Sequence, residues 1–226
     1  MTPVNRGRPA VRNTGLDATS AAPAAAPTVG RRLLILQGHP DPDTLHLGHA
    51  LDRAYGEGAV AGGHEVRRLD VATLDFPVLR SKADWEHGGV VPDIARAQDL
   101  ILWADHLAIF FPLWMGDMPA LLKAFLEQVA RPGFAVPRAG LAAAGPKAKP
   151  PLAGRSARIV VTMGMPAIVY RWYYRAHGLK ALERGLLGLA GIAPVRDTVV
   201  GSVENLSEDR RRRWLRDIAE QGRHGD

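Results

Sequence analysis

The sequence predicts an α/β fold, a three-layer sandwich in which a five-stranded parallel sheet lies between two layers of helices. Short apolar segments alternate with amphipathic segments along most of the chain, which is the pattern of successive strand–helix units. The first and third apolar segments are apolar on both faces, as expected for strands that helices cover on both sides. Right-handed crossovers leave few topologies, and among these the strand order 2-1-3-4-5 is favoured.

The first half of this fold contains two strand–helix units. The segment RRLLILQG (31–38) has a basic start, an apolar run and a final Gly, which predicts a buried strand. The segment TLHLGHALDRAYGEGAVAGG (44–63) predicts a helix that ends at its Gly pair. The segment HEVRRLDVATL (64–74) alternates apolar and charged residues, which predicts the second strand. The segment VPDIARAQDLILWAD (91–105) predicts a helix with Pro near its start.

The second half repeats the alternation of strands and helices. The segment HLAIFFPLW (106–114) predicts a third strand, and its Pro ends it because proline cannot donate to a ladder. The remaining segments predict, in order, a helix, a strand, a helix, a strand and a helix: MPALLKAFLEQVA (118–130), SARIVVTMG (156–164), HGLKALERGLLGLAGI (177–192), VRDTVVGSV (195–203) and SEDRRRRWLRDIAEQ (207–221).

Length and composition predict one domain over residues 31–222. The chain has 226 residues, of which 46% are hydrophobic, and this is enough for one full core. Residues 1–30 are rich in Ala, Pro, Thr and Arg without an apolar period, which predicts a disordered tail. Cys is absent, which excludes disulfides, a thiolate nucleophile and a Cys-based zinc site. No apolar run reaches eighteen residues, so we expect no membrane span. The absence of Cys fits the cytosol, so we expect a cytoplasmic protein.

The chain is basic, with a formal net charge of +6. Its tightest basic run, Arg210–Arg213, lies at the start of a predicted helix that Ser207 would cap. No aromatic residues interleave with these arginines as single-strand binders require, so we expect no nucleic-acid partner. The segment from Arg131 to Arg158 has six basic residues, no acidic residue and little periodicity. It predicts a long basic insertion at about 131–156, either a plain surface insertion or a mobile lid or dimer arm.

The strand order also predicts where a ligand binds. In open parallel sheets, ligands bind beyond the carboxyl ends of the strands where the strand order reverses, here between the first and third strands. The three loops at that edge are GHPDPDTLH, FPLWMGDMP and TMGMPAIVYRWYY.

The first of these loops precedes a helix N-terminus, whose free N–H groups and dipole attract an anion. His39 and Thr44 are candidate donors to a phosphate, although Thr44 is equally suited to be the helix N-cap. His39, Asp41, Asp43 and His46 lack helical ligand spacing, so we expect no metal and interpret the aspartates as turn formers.

The other two loops carry aromatic and soft apolar side chains. Trp114, Met115 and Gly116 suit a planar heterocycle with polar edges, or else Trp114 packs in the core. The third loop leads to a group of phenols and an imidazole that can donate protons or stabilise an anion, or that form an amphipathic helical turn. These residues are Tyr170, Tyr173, Tyr174 and His177.

Three ordered motifs, GHPDPDTLHLGHAL, FPLWMGDMPALLKAFLEQV followed by GFAV, and VTMG, resemble the NAD(P)H:quinone oxidoreductases, DT-diaphorase-like or modulator-of-drug-activity-like. These are flavodoxin-like flavoproteins. The resemblance implies a bound FAD or FMN, with His39 and Thr44 at its phosphates and backbone amides of Leu45 and His46 nearby. It places the following residues at the isoalloxazine: Pro112, Leu113, Trp114, Met115, Gly116, Thr162, Met163 and Gly164. It implies that Tyr170 and His177 stabilise the reduced flavin.

The resemblance also implies an activity and an assembly. The activity is two-electron reduction of quinones or similar planar acceptors by NAD(P)H through ping-pong hydride transfer. The assembly is a homodimer formed by the 177–192 helix and the 131–158 arm. An alternative within the superfamily is a flavin-binding ancillary subunit of a potassium-efflux transporter. An electron-carrier flavodoxin is disfavoured because a Thr-x-Thr-Gly-Asn-Thr loop is missing, and a Rossmann domain because no G-x-G-x-x-G follows a strand.

Overall fold

A computed structural model describes residues 30–135 and 149–226 of the chain. It contains one sheet of five parallel strands in the order 2-1-3-4-5, as the sequence predicts. The strands are β1 (Arg32–Gln37), β2 (Glu65–Asp70), β3 (His106–Pro112), β4 (Ser156–Thr162) and β5 (Val195–Val200). The three central strands are buried along almost their whole length, which explains their continuous apolar sequences.

Helices cover both faces of this sheet, which confirms the three-layer arrangement. The helices are α1 (Leu47–Ala61), α2 (Lys82–His87), α3 (Pro92–Trp103), α4 (Ala120–Val129), α5 (Ala167–Trp172), α6 (His177–Lys180), α7 (Gly188–Ala190) and α8 (Glu208–His224). A π-helical segment, Ala181–Leu187, joins α6 to α7, and short 3-10 turns occupy Val71–Thr73 and Val203–Asn205. None of the helices within the described ranges is long and apolar enough to cross a bilayer.

One face of the sheet is covered by the first and last helices. Leu33 and Ile35 of β1 pack there with Tyr55 of α1 and Ile218 of α8. Glycines allow the two helices to touch through their backbones: a Cβ on Gly58 would lie 1.9 Å from the Ala219 carbonyl oxygen. Any side chain at this position would therefore separate α1 from α8.

The helix boundaries differ from the prediction at α1, which begins at Leu47 instead of Thr44. The Asp41 carboxylate accepts the Asp43 amide at 2.9 Å, and the Asp43 carboxylate accepts the Leu45 amide at 3.0 Å. These successive side-chain turns keep residues 44 and 45 out of the helix, so His46 and not Thr44 is the N-cap. The aspartates are thus turn formers, as predicted.

The sequence prediction missed the short helix α2, left the helical turn at α5 as one of two interpretations, and gave a third element as a single helix. Helix α2 has a Ser81 N-cap but no buried residue, and therefore no apolar period to reveal it. Helix α5 spans only six residues within the third loop. The single helix predicted over 177–192 is broken by the π-helical segment.

The basic residues at the two ends of the predicted insertion make structural hydrogen bonds within the domain, whereas a role of the segment as a lid or dimer arm stays a prediction. The buried Arg131 guanidinium donates to the Gln128 side chain and to the carbonyls of Asp84 and Gly88. Arg155 donates to carbonyls at the C-terminal end of α3, and Arg158 lies within β4. Residues 136–148 of the insertion, and residues 1–29 of the predicted tail, lie outside the described residues.

Candidate cofactor cleft

A cleft of about 490 Å³ lies at the carboxyl edge of the sheet, where the strand order reverses. The start of α1 forms one wall, the ends of β3 and β4 form the floor, and the segment after β5 closes the far side. Its lining residues are His39, Asp41, His46, Leu47, Gly48, Pro112, Leu113, Trp114, Thr162, Met163, Gly164, Val203 and Glu204. Its volume and mixed lining suit a small-molecule or cofactor site.

His39 is the buried donor of the cleft, and the backbone of Asp41 orients its ring. The ring Nδ1 lies 3.1 Å from the Asp41 amide nitrogen and 3.0 Å from the Asp41 carbonyl oxygen. The His49 ring Nε2 lies 3.0 Å from that same carbonyl and can donate to it. The consistent assignment gives His39 a hydrogen-bond-accepting Nδ1 and a protonated Nε2, which has no partner among the described residues and can donate to an anion.

His46 stacks on His39 and pairs with Asp41. The two imidazole centroids are 4.2 Å apart with 20° between their planes, and the His46 Nε2 lies 3.0 Å from the Asp41 carboxylate. His46 is therefore a cleft residue as well as the N-cap of α1. Across the described ranges, no three His, Cys, Asp or Glu side chains are grouped as metal ligands.

The electrostatics of this group favour a neutral His39 before an anion binds. Burial lowers the pKa of the His39 ring, and the nearby His46 and His49 rings lower it further. The hydrogen bond from His46 lowers the pKa of the Asp41 carboxyl, which therefore stays ionised. A bound phosphate would raise the pKa of His39 again because its negative charge stabilises the protonated ring.

The second predicted loop is a tight turn with Met115 and Gly116 at its tip. Trp114 and Asp117 exchange both backbone hydrogen bonds, and the two residues between them have φ angles of 50° and 86°. Both central residues are thus left-handed, as in a type I′ turn. The Trp114 amide donates to the Asp117 carbonyl at 2.8 Å within this turn, and contacts of Trp114, Met115 and Gly116 with an isoalloxazine stay predictions. The Met115 side chain points fully into solvent, while the Trp114 ring lines the cleft.

The third loop lines the cleft through Thr162, Met163 and Gly164 at the end of β4. Thr162 and Met163 are buried, and the Leu113 amide donates to the Thr162 carbonyl at 2.7 Å. Gly164 lies close to the Glu204 side chain, since a Cβ on it would be 3.4 Å from a Glu204 carboxylate oxygen. The residues Leu47, Gly48 and Val203 also line it but were not predicted. Val203 follows the carboxyl end of β5, so it would have been predicted if the rule that ligands bind beyond strand ends had been applied to this strand as well.

Two predicted phosphate-loop residues lie elsewhere. The Leu45 side chain is 89% exposed, and Thr44 lines a separate polar cavity of about 210 Å³ between α1 and β2. The Thr44 carbonyl accepts a hydrogen bond from Arg53 at 3.4 Å. Neither Thr44 nor Leu45, which follow the side-chain turns of Asp41 and Asp43, lines the cleft, and their contacts with a cofactor stay predictions.

The two predicted catalytic residues are also outside the cleft lining. Tyr170 is 1% exposed, and its hydroxyl accepts the Leu179 amide at 3.2 Å, which ties α5 to α6. Burial raises the pKa of the phenol, so it stays protonated. His177 is exposed at the start of α6, directly after the left-handed Arg175 and Ala176. The structure thus gives Tyr170 a packing position, and the catalytic roles of both residues stay predictions.

Comparison with known proteins gives the family. The family model described as "Flavodoxin-like fold" matches residues 31–221, so the chain belongs to this family. It is 26% identical over 192 residues to an uncharacterized NAD(P)H oxidoreductase of Haemophilus influenzae, covering 83% of this chain and 92% of that protein. It is 25% identical over 206 residues to NAD(P)H dehydrogenase [quinone] 1 of Rattus norvegicus, covering 80% of this chain and 72% of that protein.

A solved structure shows the same fold. The NAD(P)H:quinone oxidoreductase from Methanothermobacter marburgensis superimposes with a TM-score of 0.70 at 22% sequence identity, covering 87% of this chain and 97% of that one. The resemblance read from the three motifs is therefore confirmed. The flavodoxin-like fold and the strand order are confirmed with it.

Proposed function

We propose that this protein is a flavin-dependent NAD(P)H:acceptor oxidoreductase that reduces quinones or similar planar acceptors. The observation that carries this proposal is the cleft, in which a buried, oriented His39 donor at a helix start faces a floor of strand ends. The relatives are named NAD(P)H oxidoreductase and NAD(P)H dehydrogenase [quinone], which supports the reaction class.

The residues of the cleft fit a flavin. Gly48 has no side chain at the first turn of α1, so a phosphate can approach the free amides of the helix start beside His39. Leu47, Trp114 and Met163 supply apolar and aromatic surface for a planar ring. When bound, a flavin supplies hydride acceptance from NAD(P)H and two-electron transfer to the acceptor. The chain itself binds, orients and partly desolvates the reactants.

The test begins with the chromophore. The purified protein is expected to show flavin absorbance, or to gain it when FMN or FAD is added, and mass analysis of the released chromophore distinguishes the two. Steady-state oxidation of NADH and of NADPH with menadione is expected to show turnover with parallel double-reciprocal lines, as a ping-pong cycle requires. A protein that binds neither flavin contradicts the proposal. Flavin binding without turnover would favour the ancillary-subunit alternative.

We also propose a homodimer that buries the exposed apolar surface of α5. Ile168 and Trp172 of α5 and Tyr173 directly after it are 66%, 81% and 79% exposed, an unusual density of large apolar side chains for a free surface. The double substitution Trp172→Glu and Tyr173→Glu is expected to convert a dimer to a monomer in light scattering. Val60→Glu, at an exposed apolar residue of α1, is the matched control and should leave the mass unchanged. A monomeric native protein would contradict this assembly.

A further inference from the structure

A buried polar network lies beneath the His39 loop. Gln37 is the last residue of β1 and is 3% exposed. Its side-chain oxygen accepts the His39 amide at 3.0 Å, and its side-chain nitrogen donates to the Asp52 carboxylate at 2.5 Å. Because both ends of the amide are engaged, only one orientation of Gln37 satisfies both partners.

Asp52 extends this network from β1 into α1 and on to β2. Its side chain is 1% exposed, and its second carboxylate oxygen accepts a hydrogen bond from the Arg68 guanidinium. A buried carboxylate is costly unless it is paired and hydrogen-bonded, and apolar side chains of similar size often replace such pairs without loss of stability. Its neighbours along the buried side of α1, Leu51 and Tyr55, belong to the apolar core. Stability alone therefore does not explain a carboxylate at this position.

The network supplies hydrogen bonds to the His39 loop directly after the last backbone hydrogen bond of β1 to its neighbouring strand. The last backbone bond from the sheet is the Gly38 amide to the Phe110 carbonyl at 2.7 Å. The next amide, that of His39, is held by the Gln37 side chain instead. The direction of the His39 ring depends in turn on the path from His39 to Asp41, because the Asp41 backbone contacts the ring Nδ1.

We propose that Gln37, Asp52 and Arg68 form a positioning relay that fixes the His39 loop for binding the phosphate of an anionic cofactor. The inference rests on the proposed function. The relay residues do not touch the cofactor; they act by preorganising the side chain that does.

The first test separates the phosphate from the ring of the cofactor. Gln37→Leu is expected to weaken FMN binding by about tenfold, as for the loss of a buried hydrogen bond, and to leave riboflavin binding unchanged. Fluorescence titration of cofactor-free protein measures both. Tyr55→Phe is the control, since it removes a buried hydroxyl from α1 that bonds the Asp226 carbonyl, far from the loop. Equal weakening of FMN and riboflavin by Gln37→Leu would mean general damage and would overturn the relay.

The second test uses a residue that contacts neither His39 nor the cleft. Asp52→Leu removes the acceptor for Gln37, whereas Asp52→Asn keeps one in the same place. We expect Asp52→Leu to lower the ratio of the FMN affinity to the riboflavin affinity by about tenfold. Asp52→Asn should keep this ratio close to that of the native protein. An unchanged ratio in Asp52→Leu would overturn the relay.

A third measurement separates failure of the relay from failure of the proposed function. If the native protein binds neither flavin, the proposed function is wrong. Whether Asp52 positions the His39 loop can then still be measured on cofactor-free protein. Amide exchange measured by NMR is expected to be faster at the His39 amide in Asp52→Leu than in the native chain. Equal exchange rates would show that Asp52 does not position the loop.

Discussion

Replacing His39 by leucine is expected to weaken FMN binding by about 10- to 100-fold, the range for hydrogen bonds to charged groups, while riboflavin binding stays unchanged. The buried His39 ring lines the cleft and has its Nδ1 engaged by the Asp41 backbone, which leaves Nε2 as the ring atom available to donate. Titration of cofactor-free protein with both flavins measures the effect. His87→Leu, at an exposed histidine of α2, is the control. Equal losses for FMN and riboflavin would contradict a phosphate contact.

The same substitution is expected to remove a pH dependence. Burial and the neighbouring imidazoles lower the pKa of His39, so the ring is neutral near pH 7 before a ligand binds. A phosphate stabilises the charged ring and so raises its pKa, which means that binding takes up a proton and that the affinity rises as the pH falls towards the lowered pKa of the free His39 ring. The native protein should show this rise relative to His39→Leu. The titration of FMN itself is the same in both proteins and cancels.

The second large effect concerns stability and lies at the opposite edge of the sheet. His106 begins β3 and is 2% exposed; its Nδ1 lies 2.8 Å from the Ser156 hydroxyl, and its Nε2 has no partner within the described ranges. Burial, with the charges of Arg31, Arg158, Arg196 and His64, lowers the pKa of this imidazole to about 3. The ring is therefore neutral in the folded protein at every ordinary pH.

The sign of the resulting pH dependence follows from the unfolded state. An unfolded histidine titrates near pH 6.5, so below that pH the unfolded chain binds a proton that the folded chain does not. The contribution of His106 to the free energy of unfolding is thus fully present above about pH 6.5 and is lost as the pH falls towards 3. Between about pH 7.5 and pH 4.5, this one group should remove about 3 kcal/mol from the free energy of unfolding.

His106→Asn isolates that contribution, because asparagine keeps a polar atom near the Ser156 hydroxyl but does not titrate. Urea unfolding across this pH range should give a native profile that falls about 3 kcal/mol further than that of the variant. The carboxyl of Asp105, whose pKa is lowered to about 2 chiefly by the hydrogen bond from Arg32, contributes to both profiles and cancels in the difference. Parallel profiles would show that His106 is not held neutral.

The strands and the position of the cleft were predictable from the sequence for a physical reason. Strands β1 and β3 are covered on both faces, so their residues are apolar almost without interruption. A short apolar run of this kind is compatible with few structures other than a buried strand. Once the strand order is known, the loops that meet at the reversal are known as well. His39, Trp114 and Thr162 therefore line one cleft, although they are far apart in the chain.

Side-chain directions in irregular segments were not predictable in the same way. Tyr170 lies at a position suggested by the resemblance, but α5 turns its ring into the core, and two successive left-handed residues then expose His177. Thr44 looked like an N-cap because its residue type is suited to one. Asp43 uses its side chain to hold the Leu45 amide, and this local competition delays the helix. Such outcomes depend on single hydrogen bonds that leave no periodic pattern.

The close contact between the two ends of the domain has a consequence for protein engineering. The Arg31 guanidinium, directly before β1, donates to the Gly225 carbonyl at 2.6 Å, directly after α8. A linker of a few residues can therefore join these ends, and the chain can be opened at an exposed loop such as the one at Gly89. A circularly permuted chain, in which the elements follow one another in a different order, can thus form the same fold. Its new termini can be placed away from the cleft.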